Sequence, residues 1–209
     1  MTRFKRTIKR CVKCRLLEPL CMCSLLPELP TRTRVILVMH HIEKHKPTNT
    51  GRLASFCLPN SEIVIRGLPE SKDVATELHW DAESQPLYVY PHIDATPIEE
   101  FANSKKPITL IVPDGTWKQA NRIRRRMPEL KDVPCVRLPV TDPSTYKLRT
   151  TARSNGLSTI EAIARSMGIL ENAQVEEALL LVFRTMVERS LAVKGPMRPP
   201  RRRTPSPDA

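Results

Sequence analysis

The 209-residue sequence contains no uninterrupted apolar run of the roughly 18 to 20 residues that a membrane-spanning helix requires. Its basic N-terminus, MTRFKRTIKRC, also lacks the apolar stretch of a signal peptide. These absences predict a soluble protein of the reducing cytosol, without a membrane partner and without disulfides. No internal repeat is visible, so one α/β domain with short attachments is the layout expected for this length.

Acidic residues are absent from the first 15 residues, which contain seven Lys or Arg, and only Asp208 accompanies the five cations from Lys194 onward. Because the formal net charge is +12, the body between these two ends is almost neutral. Two basic arms on a neutral domain favour the capture of a polyanion by release of counterions. The alternative is a pair of solvated tails that bind nothing.

Composition divides the chain into three parts. Residues 1–31 form a basic, cysteine-rich lead, residues 32–195 form the α/β domain, and residues 196–209 form a basic tail rich in Pro. Apart from Met197 the tail has no bulky apolar residue, so it cannot bury enough surface to offset the entropy lost on ordering. The tail is therefore predicted to be disordered.

Within the domain, short β-branched runs alternate with helical patterns, which predicts a parallel sheet covered by helices on both faces. Helix starts are expected where a Ser or Thr stands three positions before a Glu or Gln, because the two side chains can cap the first turn reciprocally. This pattern fits Thr96 with Glu99, Thr116 with Gln119, and Ser158 with Glu161. The strands are expected at residues 34–40, 62–66, 87–90, 108–112 and 135–138.

A final helix is expected over residues 175–193, because Asn172 can cap its start and Gly195-Pro196 would end it. Residues 179–183 read LLLVF, which is apolar on every side of a helix. This segment is therefore predicted to be buried in the domain or in a dimer interface.

Four cysteines form the pattern C-x2-C-x6-C-x-C within thirteen residues: Cys11, Cys14, Cys21 and Cys23. Thiolates this close can complete the tetrahedral coordination of Zn²⁺ and leave no position open for catalysis. The spacing predicts a structural zinc site, with reduced and unliganded thiols as the alternative. Cys57 and Cys135 fall in a predicted helix and strand, where small buried side chains are expected.

The turn Pro113-Asp114-Gly115-Thr116-Trp117 joins an apolar strand to a helix. In open α/β sheets, ligands bind at the carboxyl ends of strands, beside helix N-termini with free amides. Gly115 permits close backbone approach, Thr116 can cap the helix, and Trp117 can wall an apolar pocket. Asp114 offers a carboxylate to an amine, a hydroxyl or an imide proton. The alternative is that Asp114 only caps the helix and Trp117 belongs to the core.

The helix after this turn carries five cations and no acid through Met127. Arg122 and Arg126 are four residues apart and therefore share a helix face. This charge beside a ligand pocket predicts contacts with RNA phosphates, with a solvated helix face as the alternative. The predicted contacts are Lys118, Arg122, Arg125 and Arg126.

Five motifs resemble the DTW-domain family in type and order, over roughly residues 10–190. They are the four-cysteine pattern, Thr48-Asn49-Thr50-Gly51-Arg52-Leu53, Asp114-Gly115-Thr116-Trp117, Tyr146-x-Leu148-Arg149, and Leu157-Ser158-Thr159-Ile160-Glu161-Ala162. The resemblance implies a tRNA-uridine aminocarboxypropyltransferase that uses S-adenosylmethionine as donor and uridine N3 as acceptor. It also implies kinship with the SPOUT class and hence a trefoil-knotted α/β fold.

The resemblance also implies roles for individual residues. Asp114 is expected to be catalytic by accepting or orienting the uridine N3 proton, or else to hold the donor's ammonium group. Arg52 is expected to contact an RNA phosphate or the donor carboxylate. Donor binding is expected of Thr116, Trp117, Leu138, Tyr146, Leu148, Arg149, Ser158 and Thr159.

Two other functions fit parts of the sequence. One is a knotted RNA methyltransferase that uses the same donor. The other is a non-catalytic, zinc-bearing RNA-binding adaptor. The motifs beyond the cysteines argue against an adaptor, because an adaptor needs no polar pocket at a strand end.

Overall fold

The computed structural model of the protein describes residues 9–67, 77–140 and 156–194. The motif residues Tyr146, Leu148 and Arg149 and the tail 196–209 lie outside the described residues. Strands and helices follow one another as β1 (Arg34–His40), α1 (Thr50–Cys57), β2 (Ser61–Arg66), β3 (Gln85–Val89), β4 (Thr96–Pro97), β5 (Ile108–Asp114), α2 (Trp117–Arg126), β6 (Cys135–Arg137), α3 (Thr159–Leu170) and α4 (Ala173–Lys194).

The six described strands form one sheet in the order β2-β1-β5-β3-β6-β4, and every neighbouring pair is parallel. In the central pair, β1 and β5, Met39 stands beside Asp114. The predicted parallel α/β sheet is therefore confirmed. Each of the five predicted strands is found, with ends shifted by at most two residues.

The sheet is covered by helices on both faces, as predicted, because its central strands are apolar on both sides. Side chains at alternate positions of β1 enter two separate cores. Val35, Leu37 and Met39 pack with α1, α3 and α4. Ile36 and Val38 pack on the opposite face with α2 and the turn that follows it.

Two of the three predicted capping boxes are confirmed, at the starts of α2 and α3. The third was wrong. Thr96 does not cap a helix, because Thr96–Pro97 forms the edge strand β4 and Thr96 stands beside Val136 of β6. Pairing with a distant strand has overridden the local helix signal, and only a short 3-10 turn, Ile98–Phe101, follows Pro97.

Helix α4 extends the prediction by two residues at its start and one at its end. Asn172 caps it as expected, since its Oδ1 accepts a hydrogen bond from the Val175 N–H at 3.1 Å. Leu179 and Phe183 of the apolar centre are buried in the domain, whereas Leu181 is exposed. Neither α4 nor any other described helix is both long and apolar enough to cross a membrane.

The described part of the cysteine-rich lead packs against the domain. Cys14, Leu16 and Met22 are buried in the same core as α1 and α4. Arg189 of α4 donates hydrogen bonds to the backbone carbonyls of Leu20, at 3.3 Å, and Cys21. The lead is therefore part of the packed structure and is joined to the last helix.

Candidate active site at the carboxyl edge of the sheet

The centre of the sheet is a topological switch point. The chain leaves β1 through α1 on one face, and it leaves the neighbouring strand β5 through α2 on the other face. Connections that diverge in this way open a crevice at the carboxyl ends of the two strands, where α/β proteins bind ligands. Asn49 follows β1 and Asp114 ends β5, so both lie at this crevice.

Asp114 is only 3% exposed and lies on the face covered by α1 and α3. Its Oδ2 accepts a hydrogen bond from Asn49 Nδ2 at 2.5 Å, and its Oδ1 accepts one from Thr159 Oγ1 at 2.5 Å. Asn49 also caps α1, since its Oδ1 accepts from the Arg52 N–H at 2.8 Å. The carboxylate at the end of β5 thus joins the starts of α1 and α3.

Hydrogen bonds within α3 and to α1 order the start of α3. Ser158 donates to the Glu161 carboxylate through its N–H at 2.8 Å and through its hydroxyl at 2.6 Å. Thr50 Oγ1 accepts a weak hydrogen bond from the Ile160 N–H at 3.4 Å. The two predicted donor residues on α3, Ser158 and Thr159, therefore lie at the crevice in fixed orientations.

Gly51 allows α1 to approach both β1 and α3 closely. A Cβ atom at this position would lie 2.9 Å from Leu37 Cδ2 and 3.1 Å from Thr159 Cγ2. Such distances are shorter than ordinary van der Waals contact. A larger residue at position 51 would press on Leu37 and on Thr159, the residue that donates to Asp114 Oδ1.

Arg52 lies inside the protein, with 9% of its surface exposed. Its Nη1 donates to the Lys44 carbonyl at 2.7 Å and its Nη2 to the Lys46 carbonyl at 3.1 Å. Burial lowers the pKa of the guanidinium, as does repulsion from Arg15, whereas Asp114 and Cys14 raise it. The Arg52 guanidinium is therefore within electrostatic range of both the site carboxylate and Cys14 of the cysteine cluster.

Trp117 lies on the other side of the turn and is 39% exposed. Its ring meets the edge of Tyr90, with 5.8 Å between ring centroids. Thr116, also exposed, caps α2, and its backbone N–H donates to Gln119 Oε1 at 2.7 Å. A Cβ on Gly115 would lie 2.9 Å from that same Oε1.

The cations predicted to meet RNA lie on the solvent side of α2. Ala120 and Ile123 are buried beneath the helix. The outer surface carries Lys118, Arg122, Arg125 and Arg126, all exposed. Leu138, the predicted donor contact after β6, is half-buried and packs against the core shared by α1 and α3. Arg52, the fifth predicted RNA contact, is separated from the others because it lies in the interior.

Asn49 and Tyr90 are residues of this edge to which the sequence analysis assigned no role. The position of Asn49 immediately before a helix signals a cap. Its second contact, with Asp114, joins residues 65 positions apart, and no local pattern indicates it. Tyr90 was placed inside a predicted strand, but β3 ends at Val89.

The four cysteines of the lead come together as predicted. Their Sγ atoms all lie within 4.8 Å of one another, an arrangement that can hold a metal ion. Backbone hydrogen bonds from Cys14 and Lys13 lower the pKa of the Cys11 thiol to about 6, which favours the thiolate that a metal binds. Burial raises the pKa of the Cys14 and Cys23 thiols. Cys57 and Cys135 are buried elsewhere, as predicted.

The family model described as the DTW domain matches residues 8–191. The chain belongs to the DTW-domain family. All five motifs that carried the resemblance fall within the matched part of this DTW-domain protein. Three of them, which contain Asn49, Asp114 and Thr159, meet at one carboxylate.

Several curated proteins are similar to this DTW-domain protein. It is 29% identical to a tRNA-uridine aminocarboxypropyltransferase 2 of Drosophila melanogaster, over 87% of this chain and 75% of the relative. It is 32% identical to the mouse protein of the same name, over 81% of this chain and 59% of the relative. A tRNA-uridine aminocarboxypropyltransferase A of Arabidopsis thaliana is 27% identical, over 90% and 83%. No solved structure matches the chain.

Proposed function

We propose that this protein is a tRNA-uridine aminocarboxypropyltransferase. It transfers the 3-amino-3-carboxypropyl group of S-adenosylmethionine to N3 of a tRNA uridine and releases methylthioadenosine. The observation that carries the proposal is the meeting of three separate family motifs at the buried Asp114 carboxylate. The names of the animal and plant relatives support it, although the chain spans only 59% of the mouse protein.

The reaction depends on which carbon of the donor meets the nucleophile. The sulfonium activates three carbons, and attack on the methyl carbon would give methylation. Attack of N3 on the γ-carbon of the methionine part forms the N3–Cγ bond and breaks the Cγ–S bond, while N3 loses its proton. Holding the amino-acid end of the donor in one orientation is therefore the main task of the site.

We assign that task to the buried side of the crevice. Asp114 was expected to serve either the uridine or the donor ammonium. Its burial among Asn49, Thr159 and the start of α3 supports the ammonium role. The other donor contacts are proposed as the sequence predicts them. The amino-acid end is surrounded by Thr116, Trp117, Ser158 and Thr159. The nucleoside is surrounded by Leu138, Tyr146, Leu148 and Arg149.

We propose that the metal of the cysteine cluster is Zn²⁺. Four sulfurs placed tetrahedrally about zinc at about 2.3 Å lie about 3.8 Å from one another. The Cys11–Cys23 and Cys14–Cys21 distances are 3.7 and 3.8 Å, so these residues fit a closed zinc site. With all four positions taken by protein, the metal would supply structure and no catalysis.

Nucleoside mass spectrometry tests the proposed reaction directly. After incubation of tRNA with the purified protein and S-adenosylmethionine, we expect uridine to gain the mass of an aminocarboxypropyl group and methylthioadenosine to appear. S-adenosylhomocysteine in its place would identify an RNA methyltransferase. Retention of tRNA without donor binding or added mass would identify the adaptor.

The exposed cations of α2 are proposed to bind tRNA phosphates. Replacing Arg122 and Arg125 with Ala should weaken tRNA binding and flatten its dependence on salt. Each lost phosphate contact lowers the slope of log K against log salt by about 0.7 to 0.9. S-adenosylmethionine binding should not change, because neither residue contacts the buried side of the crevice.

The matched control for this prediction is the pair Lys105 and Lys106. Both are exposed and precede β5, at the amino end of the strand whose carboxyl end leads into α2. Their replacement with Ala removes the same charge and should leave tRNA binding unchanged. An equal loss in both double variants would show only a general effect of charge and would remove α2 from the proposed RNA surface.

We also propose a trefoil knot and a cytosolic location. The knot follows from the proposed SPOUT kinship, and an experimental structure traced through residues 141–158 tests it. The cytosolic location is supported by the six cysteines, all of them described, none of which is joined to another by a disulfide. Fractionation of cells that express the tagged protein tests the location.

A further inference from the structure

Arg52 is a buried cation that lacks a counterion within the described structure. Only 9% of the residue is exposed, and in the described part of the chain it forms no ion pair. Two backbone carbonyls accept hydrogen bonds from its terminal nitrogens. Its Nε is buried and has no hydrogen-bond partner among the described residues.

Such an arrangement points to a ligand. Buried charges in proteins are normally paired with an opposite charge or with a bound ion, because removing a charge from water is costly. A buried N–H donor without a partner is also rare. The guanidinium of Arg52 is held in place by the Lys44 and Lys46 carbonyls. Nε is its one nitrogen without a hydrogen-bond partner among the described residues, and is therefore the donor left for an anion.

The position of Arg52 indicates which anion this is. It stands in the first turn of α1, and the residue that caps this helix, Asn49, binds Asp114. The attraction of Asp114 acts on Arg52, although the two side chains form no ion pair. A buried carboxylate and a buried guanidinium therefore border one crevice without forming an ion pair with each other. This arrangement matches a zwitterionic amino-acid group, whose ammonium would face the carboxylate and whose carboxylate would face the guanidinium.

We propose that Arg52 binds the α-carboxylate of S-adenosylmethionine through Nε while Asp114 binds the ammonium group. This assignment rests on the proposed function and specifies which part of the donor the site recognises, its α-carboxylate and ammonium groups. The exposed cations proposed to bind the RNA backbone lie on α2, on the other face of the sheet, and Arg52 is not among them. Arg52 thereby makes the enzyme select a donor with a carboxylate over an aminopropyl donor that lacks one.

Three ligands and two substitutions test the proposal. Isothermal titration would measure binding of S-adenosylmethionine, decarboxylated S-adenosylmethionine and methylthioadenosine to wild type, Arg52→Gln and Arg52→Lys. We expect Arg52→Gln to bind S-adenosylmethionine roughly 10- to 100-fold more weakly, the usual value of a hydrogen bond to a charged group. Binding of the other two ligands should not change, which also shows that the variant is folded.

Arg52→Lys provides a second, milder variant. It keeps the charge but loses Nε, so we expect a smaller loss that is again confined to S-adenosylmethionine. Arg34→Gln is the matched control, because Arg34 lies at the start of β1 and pairs with Glu62 at the protein surface. It should bind all three ligands as wild type does.

Several results would overturn the assignment. An equal loss for S-adenosylmethionine and methylthioadenosine would mean that Arg52 only supports the fold. Weaker tRNA binding with unchanged donor binding would mean that it contacts phosphate, and loss of bound metal alone would mean that it serves the cysteine cluster. If wild type binds none of the three ligands, the proposed function itself fails. If wild type binds S-adenosylmethionine and Arg52→Gln binds it equally well, only the assignment of Arg52 fails.

Discussion

Asp114→Asn is expected to reduce S-adenosylmethionine affinity by roughly 10- to 100-fold, the value of a hydrogen bond to a charged group. Asn has the same shape as Asp and can still form hydrogen bonds with Asn49 and Thr159 after small rotations. It cannot neutralise the donor's ammonium group. Transfer of the aminocarboxypropyl group should fall at least as much as affinity does, because the γ-carbon is no longer held against N3.

The measurement combines titration with single-turnover transfer. Methylthioadenosine, which has no ammonium group, should bind Asp114→Asn as tightly as wild type. Asp132→Asn, at an exposed position outside the crevice, should change neither binding nor transfer. If Asp114→Asn binds S-adenosylmethionine normally and yet fails to transfer, Asp114 serves the uridine N3 proton and the ammonium role is wrong.

Removal of the metal is expected to destabilise the whole domain as well as the lead. Cys14 and Met22 are buried in the main core, so loss of the cluster exposes apolar surface of α1 and α4. Free zinc at a thousand times its Kd stabilises a fold by about 4 kcal/mol. Since 1 kcal/mol shifts the Tm of a domain of this size by roughly 2 to 4 °C, chelation should lower the Tm by about 10 °C.

Scanning calorimetry with elemental analysis provides the test. Cys14→Ser should lose the metal and show the lowered Tm without chelator. Cys57→Ala is the matched control, because Cys57 is buried in α1 outside the cluster. It should keep the metal and remain sensitive to the chelator. A chain that contains no metal, or whose Tm does not respond to chelation, contradicts the zinc site.

The parts of the fold that the sequence predicted are those with a strong local pattern. β1 was predicted with correct ends, because residues 34–40 form an apolar run buried on both faces of the sheet. The starts of α2 and α3 were predicted because a capping box involves only four consecutive residues. The strand order was not predictable in this way, since it depends on contacts between distant segments. β4 was missed because two residues show no periodicity.

The site shows the same division between local and distant information. The turn at Asp114 could be predicted as a site because a strand, a glycine and a capped helix follow one another in the chain. Its contacts with Asn49 and Thr159 could not be, because they join residues 65 and 45 positions away. From the sequence, Arg52 could be assigned only as a contact for either an RNA phosphate or the donor carboxylate, because its burial is a property of the folded chain that a single cation in a sequence does not reveal.

The hydrogen bonds from Arg189 to Leu20 and Cys21 have a consequence for biosynthesis. They join positions 169 and 168 residues apart. The packing of the lead, which is synthesised first, is therefore completed only by α4, which is synthesised last. Until α4 has emerged, Leu16 and Met22 have only part of the apolar surface that covers them in the finished protein. During synthesis the cysteines and apolar side chains of the lead are therefore accessible to metal ions, oxidants and chaperones until α4 has been made.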